Sequence, residues 1–429
     1  MSQIFDFYDY KNKVFSCNGV NLETIAKEVG TPAYIYSAEA LVSNFNKLQK
    51  GLKGLNSLIC FAMKSNSNLS VLRLLAEAGA GTDIVSGGEL FRSHQAGVSA
   101  EKIVFSGVGK TKEEMKNGLT FQGKGIHSFN VESIAELFAL NQVAKELHLK
   151  ATVALRFNPD VDPKTHPYIS TGIKKNKFGM DRAEIFNCLS HLKQLDHIRL
   201  EGISIHIGSQ LLSLSPLKDA FERLAHLIEE IQHPIQFVDL GGGIGISYQL
   251  EQPPKIEDYC QLIHEVFGEK SKFNSKLKII LEPGRQISGN AGVLLTQILF
   301  RKQRRSQDFL IIDAAMNDLI RPALYGSYHE IVPIQAVHLE GKMKKTMVVG
   351  PVCESSDFIG KSRKLSQNLK SGDFLAILSA GAYGFTMSGQ YNSRPRPPEV
   401  LIQNGNFRIV RKRESFEDLI QGELSSLRH

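Results

Sequence analysis

No stretch of this 429-residue sequence is apolar for long enough to cross a bilayer as a helix. Its five cysteines, Cys17, Cys60, Cys188, Cys260 and Cys353, are scattered and odd in number. They form neither a disulfide framework nor a pair at metal-ligand spacing, which favours a reducing compartment and offers no metal site. Low-complexity tracts are missing, and no internal repeat stands out beyond the alternation described below. The first residues, MSQIFDFYDY, are acidic where a secretory signal is basic, and no apolar stretch follows, so the expected location is the cytoplasm. Lys and Arg outnumber Asp and Glu by 51 to 44, a net charge of +7. The basic residues are dispersed and not interleaved with aromatics, which argues against a nucleic-acid surface and leaves a weak preference for anionic small molecules.

Hydrophobic residues at 42% and charged residues at 22% place the chain among ordinary globular proteins. Its length exceeds what one hydrophobic core usually organises, so two domains are expected. Short apolar runs at 58–63, 81–85, 103–105, 126–129, 152–157, 200–206, 235–240 and 277–282 read as strands. Between them lie helical patterns, such as 69–78, 88–96, 132–147, 181–192, 216–231 and 256–267. In 216–231 the apolar residues Leu217, Phe221, Leu224, Leu227 and Ile228 recur at helical spacing. Alternation of this kind implies parallel strands with right-handed crossovers. Eight units point to a closed (β/α)8 TIM barrel, and an open doubly wound sheet remains compatible with the pattern.

Beyond about residue 290 the texture becomes mostly β, with strand candidates at 293–301, 309–313, 334–338, 345–349, 374–378 and 407–410. A β-sandwich or β-barrel domain is the expectation there. Near the N-terminus a helix-like 22–29 and a strand-like 34–36 give no sign, by pattern, of which domain they join.

Reactive residue types fall at the carboxyl ends of the expected barrel strands, the rim where barrel enzymes place their chemistry. Lys64 follows the first, Asp83 and Ser86 end the second, Arg156 ends the fifth and His206 the sixth. Gly241, Gly242 and Gly243 follow the seventh, and Glu282 with Arg285 closes the eighth. Taken singly, Lys64 is also a plausible surface lysine, His206 a core histidine, and Glu282 a partner for Arg285 across the Pro283–Gly284 turn. Together they outline one site. A desolvated lysine there could form a Schiff base. The glycine run DLGGGIG suits an anion after strand seven, although a tight turn explains glycines equally well. Its spacing matches neither the dinucleotide fingerprint nor the P-loop. In the β region, Cys353 beside Glu354 and Asp357 reads either as a buried thiol or as a proton donor. Glycines around Tyr383 allow close backbone approach to a ligand.

These residues sit in long motifs: FAMKSN, DIVSGGEL, RFNPDVDPKTHPYISTG with KFG, HIGSQ, DLGGGIG, EPGR, GPVCESSD and NSRPRPPEV. On them, from about residue 30 to 400, the chain resembles the fold-type III pyridoxal-phosphate-dependent decarboxylases, and within these the branch acting on diaminopimelate. The resemblance implies pyridoxal 5'-phosphate as cofactor and decarboxylation of meso-2,6-diaminopimelate to L-lysine and carbon dioxide. It implies a barrel over residues 36–290 and a β domain built from 1–35 and 291–429. It makes Lys64 the covalent anchor, with His206 stacked on the ring, Ser209, Gly241, Gly242 and Gly243 at the phosphate, and Glu282 at the pyridine nitrogen. Asp83, Arg156, Gly284, Arg285 and Tyr383 become further cofactor-site residues. Arg285, Arg321 and Tyr325 would bind the distal carboxylate, Glu354 the distal ammonium, and Cys353 would return the proton, with Tyr383 also touching substrate. A homodimer with shared sites is implied, the Cys353 loop coming from the partner. One departure is Ser65, where the family usually has alanine. Other readings are an ornithine- or arginine-type decarboxylase, an alanine-racemase-like enzyme, and an inactive regulatory homologue. The first usually has aspartate after the cysteine, the second would lack the HIGSQ and CES motifs, and the third would lose Lys64, Glu282 or Cys353.

Overall fold

The computed structural model describes residues 6–162, 177–273, 276–305 and 307–427. The part of the RFNPDVDPKTHPYISTG motif from residue 163 onward lies outside the described residues. The chain divides into two compact units, Val42–Ile246 with Gln252–Gln286, and Met1–Leu41 with Ser247–Glu251 and Ile287–His429. Ser247–Glu251, expected with the barrel, thus groups with the second unit.

The first unit is a closed barrel of eight parallel strands. They are Ser57–Ala62, Gly81–Ile84, Ile103–Phe105, Ser128–Val131, Ala151–Phe157, Ile198–Ile205, Phe237–Asp239 and Lys278–Leu281. Strand order follows chain order, and the eighth pairs back on the first through Leu281 opposite Ile59. All eight expected strands are present, with ends displaced by a residue or two. Their apolar runs reflect burial on both faces, where helices cover the outside and side chains fill the lumen. Leu58, Cys60, Val104, Ala154, Phe237 and Ile280 form one such interior cluster.

Five of the crossover helices begin where a short polar side chain accepts an orphan N–H group. Asn68, Ser86, Thr111, Ser133 and Asp181 cap the helices Leu69–Glu77, Gly87–Gln95, Lys112–Thr120, Ile134–Glu146 and Arg182–His191. Ser86, noted above at a strand end, is therefore a helix cap. Helix Ser215–Glu230 buries Leu217, Phe221, Leu224 and Leu227, the stripe its spacing gives. No helix among the described residues is long and apolar enough to cross a membrane.

The second unit is mostly sheet. Its longest strand, Gly292–Gln303, pairs antiparallel with Asp308–Ile312, Phe374–Ile377 and Ala33–Ser37. Glu399–Gln403 joins Ala33–Ser37 in parallel. Tyr8, Phe15, Leu22, Ile25 and Ile35 pack with Val293, Leu295, Ala376, Val400 and Ile402 in one core. The N-terminal residues thus belong to this unit. A strand expected at 334–338 is not found. The strand is Ile331–Pro333, and Ala336–Leu339 is a 3-10 turn. After Pro333 the chain turns to the N-terminal residues: Phe15 N–H donates to the Ile334 carbonyl (2.7 Å) and Ala336 N–H to the Lys13 carbonyl (2.8 Å), a single antiparallel bridge at Val14 and Gln335 before the 3-10 turn.

Candidate active site

A cavity of about 410 Å³ opens at the carboxyl ends of the barrel strands. Lys64, Ser106, Asn130, Arg156, Ser204, His206 and Glu282 line it. Parallel register places them. Arg156 lies opposite Ser204, and Ser204 opposite Asp239. Asp83 stands opposite Ala62, two residues before Lys64.

Lys64 Nζ lies 2.8 Å from Asp83 Oδ2, and the Asp83 side chain is fully buried. Glu282 is 7% exposed and accepts from Ser106 Oγ (3.1 Å) and Asn130 Nδ2 (3.3 Å). Burial, with the charges of Asp239 and Asp83, pushes its carboxyl well above the usual range. Asp239 is also raised by burial, but it accepts from Asn130 and from Gly241 N–H. Those donors favour its ionised form, so the proton held between the two carboxyls sits on Glu282.

His206 accepts from Gly242 N–H at Nδ1 (3.3 Å), which leaves the ring proton on Nε2. Burial, then the cations Arg156 and Lys64, hold its pKa well below 6.5, so the ring is neutral. Arg156 is fixed by Glu132 (2.6 Å), and its guanidinium lies 5.0 Å from the Phe178 ring centroid. Glu132 also accepts from Gly179 N–H at 2.9 Å.

The glycine run packs against backbone. A Cβ on Gly242 would lie 2.2 Å from the Glu282 carbonyl oxygen, and Gly241 has φ +65°. Ser209 accepts from Arg285 Nη2 at 3.1 Å. Gly284 sits against Ser65 and Ala62, with 3.0 Å from its ideal Cβ to the nearest atom of Ser65.

Lys64, Asp83, Arg156, His206, Ser209, Gly241, Gly242, Gly243, Glu282, Gly284 and Arg285 therefore all lie in the barrel unit. Arg321, Tyr325, Cys353, Glu354 and Tyr383 lie in the second unit. There Arg321 is buried, and Cys353 and Glu354 are exposed on one loop. Asp357 braces that loop by accepting from Met316 and Val352 N–H at 2.7 and 2.8 Å. Tyr383 adopts φ +56°, a conformation that non-glycine residues rarely take.

Sequence reasoning missed Ser106, Asn130, Glu132, Ser204 and Asp239. Each lies at or next to the carboxyl end of a barrel strand, so the same rim rule could have found them. Serine and asparagine carry less chemical signal than lysine or histidine, and the carboxylates Glu132 and Asp239 occupy positions that a helix start and a glycine turn already explain.

The barrel residues 38–289 match the family described as pyridoxal-dependent decarboxylase, pyridoxal binding domain. That defines the class: a barrel enzyme whose cofactor is pyridoxal 5'-phosphate. Diaminopimelate decarboxylase of Pseudomonas aeruginosa is 46% identical over 421 residues, 97% of this chain and 99% of the relative. The Aquifex aeolicus enzyme is 43% identical over 422 residues, 97% of each chain. The crystal structure of Helicobacter pylori diaminopimelate decarboxylase complexed with L-lysine superposes with a TM-score of 0.89 at 40% identity, covering 95% of this chain and 100% of that one. The chain belongs to the diaminopimelate decarboxylase family.

The cavity fits the cofactor. Asp83 Oδ1, Asn130 Oδ1 and Ser204 Oγ are buried with no hydrogen-bond partner among the described residues. Asn130 and Ser204 line the cavity, and Asp83 holds its lysine. An amine, a neutral flat ring and a proton-bearing carboxyl around such atoms suit a polar aromatic aldehyde.

Proposed function

We propose that the chain decarboxylates meso-2,6-diaminopimelate to L-lysine and carbon dioxide, using pyridoxal 5'-phosphate held in the barrel. The observation that carries the proposal is Lys64, paired with Asp83 in the same cavity as His206 and Glu282. The bound cofactor supplies a ring that accepts the electron pair left when the α-carboxylate departs.

The residues divide the remaining work. Lys64 is the amine that anchors the cofactor aldehyde, and Asp83 and Arg156 support the site. His206 offers an uncharged face for stacking, since its neutral form is favoured. Glu282 holds a proton at the place assigned to the pyridine nitrogen. Ser209, Gly241, Gly242 and Gly243 hold the phosphate, with Gly284 and Arg285 beside them. Arg285, Arg321 and Tyr325 bind the distal carboxylate, which the guanidinium fork matches bidentately. Glu354 takes the distal ammonium, and Tyr383 touches both cofactor and substrate. The carbon–carbon bond breaks, carbon dioxide leaves, and Cys353 Sγ–H gives its proton to the α-carbon.

The same reading includes a cytoplasmic homodimer in which each Cys353 loop completes the partner's site. Exposure of Cys353 and Glu354 supports this arrangement. Mixing Lys64→Ala with Cys353→Ala subunits should then give activity well above that of either variant alone.

The decisive experiment measures carbon dioxide release from protein and cofactor with meso-diaminopimelate, ornithine, arginine and lysine in parallel. Release from diaminopimelate, with lysine as product, is expected. Release from ornithine or arginine instead would overturn the reading of Arg285, Arg321 and Glu354.

A further inference from the structure

Arg321 opens the short helix Arg321–Tyr325, and His329 lies in the connection that follows, two residues before the strand Ile331–Pro333. Both side chains are buried. His329 Nδ1 lies 2.8 Å from the Leu378 carbonyl oxygen, which can only accept, so Nδ1 carries the ring proton. His329 Nε2 lies 3.0 Å from Arg321 Nη1. A guanidinium can only donate, so Nε2 accepts through its lone pair, and both ends of a neutral imidazole are fixed. Tyr248 covers the pair. Its ring centroid is 4.9 Å from Arg321 Cζ and 5.4 Å from the His329 ring, edge-on at 80°. Leu378 is itself held, since its N–H donates to the Glu330 carbonyl (2.8 Å) and the preceding Phe374–Ile377 pairs with Ile331–Pro333. A rigid sheet thus holds an imidazole, and the imidazole holds a guanidinium.

We propose that His329 is a positioning residue that sets the Arg321 fork for the substrate's distal carboxylate, making it a specificity determinant for dicarboxylic over monocarboxylic amino acids. This rests on the reading of Arg321 given above. A free arginine side chain loses about 2 kcal/mol of rotamer entropy when it is ordered. A guanidinium ordered beforehand avoids that cost when the carboxylate arrives. The two groups named here suit the task because both are neutral. An acceptor nitrogen and an aromatic face orient the cation without cancelling the charge that a carboxylate must meet. A residue that merely filled the core would, when replaced, lower stability and turnover together. A positioning residue acts on KM.

The test uses full-length holoenzyme and steady-state kinetics with meso-diaminopimelate. His329→Asn can keep the donor toward Leu378 but does not reach Arg321, and KM should rise about tenfold with kcat within about twofold. His329→Gln can place an amide oxygen where Nε2 stood, and should bring KM back to within about threefold of wild type. If His329→Asn does not fold, His329→Phe, which keeps a ring but offers no acceptor, takes its place in the comparison with His329→Gln. Equal KM values across these variants, or a fall in kcat at unchanged KM, would overturn the proposal. Arg321→Met separates the two levels. If it raises KM while the His329 variants do not, positioning alone fails. If it leaves KM unchanged, the reading of Arg321 fails and the proposal with it.

Discussion

Asp239 Oδ2 and Glu282 Oε1 accept from the same amide nitrogen, Asn130 Nδ2, at 2.8 and 3.3 Å. Three barrel strands thereby meet at one donor, deep in the lumen. Both carboxyls are raised by burial, so the fold retains protons at pH values where the unfolded chain has ionised. Stability from this pair is full below the unfolded pKa values and is lost as pH rises through the raised ones. Asn130→Ala removes the shared donor and should cost the cofactor-free protein about 2 kcal/mol. The cost should be larger at pH 8 than at pH 5, because ionised carboxyls need the donor more. Urea unfolding at both values checks this, and an equal loss at each would mean that the amide merely fills space.

His127 carries the opposite sign. Burial, with the nearby Lys278 cation, lowers its pKa to about 4. Lys278 Nζ donates to His127 Nε2 at 2.9 Å, which only the neutral ring accepts. A histidine with a depressed folded pKa contributes stability that is full above about pH 6.5 and is lost as pH falls toward 4. A shift of that size amounts to roughly 3 kcal/mol across the window. His127→Gln should flatten this part of the stability profile, and unfolding curves between pH 7 and pH 4 would reveal an unchanged slope if the assignment is wrong.

The ion pair of Glu132 and Arg156 leaves 2% and 9% of the two side chains exposed. Glu132→Ala strands a buried guanidinium beside the cavity, at a cost of roughly 3–5 kcal/mol. Glu132→Gln keeps an acceptor for Gly179 N–H and should lose less. Thermal melting of the two variants gives the order, and equal melting temperatures would show that the charge does not matter here.

The barrel was legible in the sequence because parallel strands buried on both faces must be apolar, so a lysine, arginine or histidine at a strand end stands out. Lys64, Arg156, His206 and Glu282 were found that way, and the cavity brings them together. Ser106, Asn130 and Ser204 were not, since small polar side chains occur in turns and caps throughout the chain. Ser86 shows the converse, a residue at the rim that serves as a cap. In the second unit the strand Glu399–Gln403 was missed because the prolines of RPRPP precede it, and prolines usually mark irregular chain. His329 carried no signal, because its meaning comes from Leu378, 49 residues away, and from Arg321.

Cys353 is exposed, and its N–H donates to Asn392 Oδ1 at 2.9 Å, so the loop backbone is held while the thiol faces outward. In the proton-donor role proposed for it, Cys353 would act only after carbon dioxide has left. Cys353→Ala should therefore lower kcat about 100-fold and leave cofactor content unchanged. Stopped-time product assays with visible absorbance per subunit measure both quantities. Full turnover in the variant would remove Cys353 from this role.

Gly242 ties the glycine loop, proposed to hold the phosphate, to the backbone of Glu282. The Cβ of an alanine there would lie 2.2 Å from the Glu282 carbonyl oxygen and 3.0 Å from its carbon, with no flexible side chain to yield. Glu282 N–H also donates to the Gly241 carbonyl at 2.7 Å, so neither strand end moves alone. Relief requires a backbone shift, which carries the Glu282 carboxyl and the turn to Arg285 with it. Gly242→Ala should cost about 1–3 kcal/mol, the range for overpacking, and weaken cofactor retention. Gly422→Ala, where nothing lies within 4 Å, serves as the control and should leave both unchanged. Equilibrium dialysis of pyridoxal phosphate together with thermal melting tests the pair. Tight cofactor binding in Gly242→Ala would show that the loop and Glu282 are not mechanically coupled.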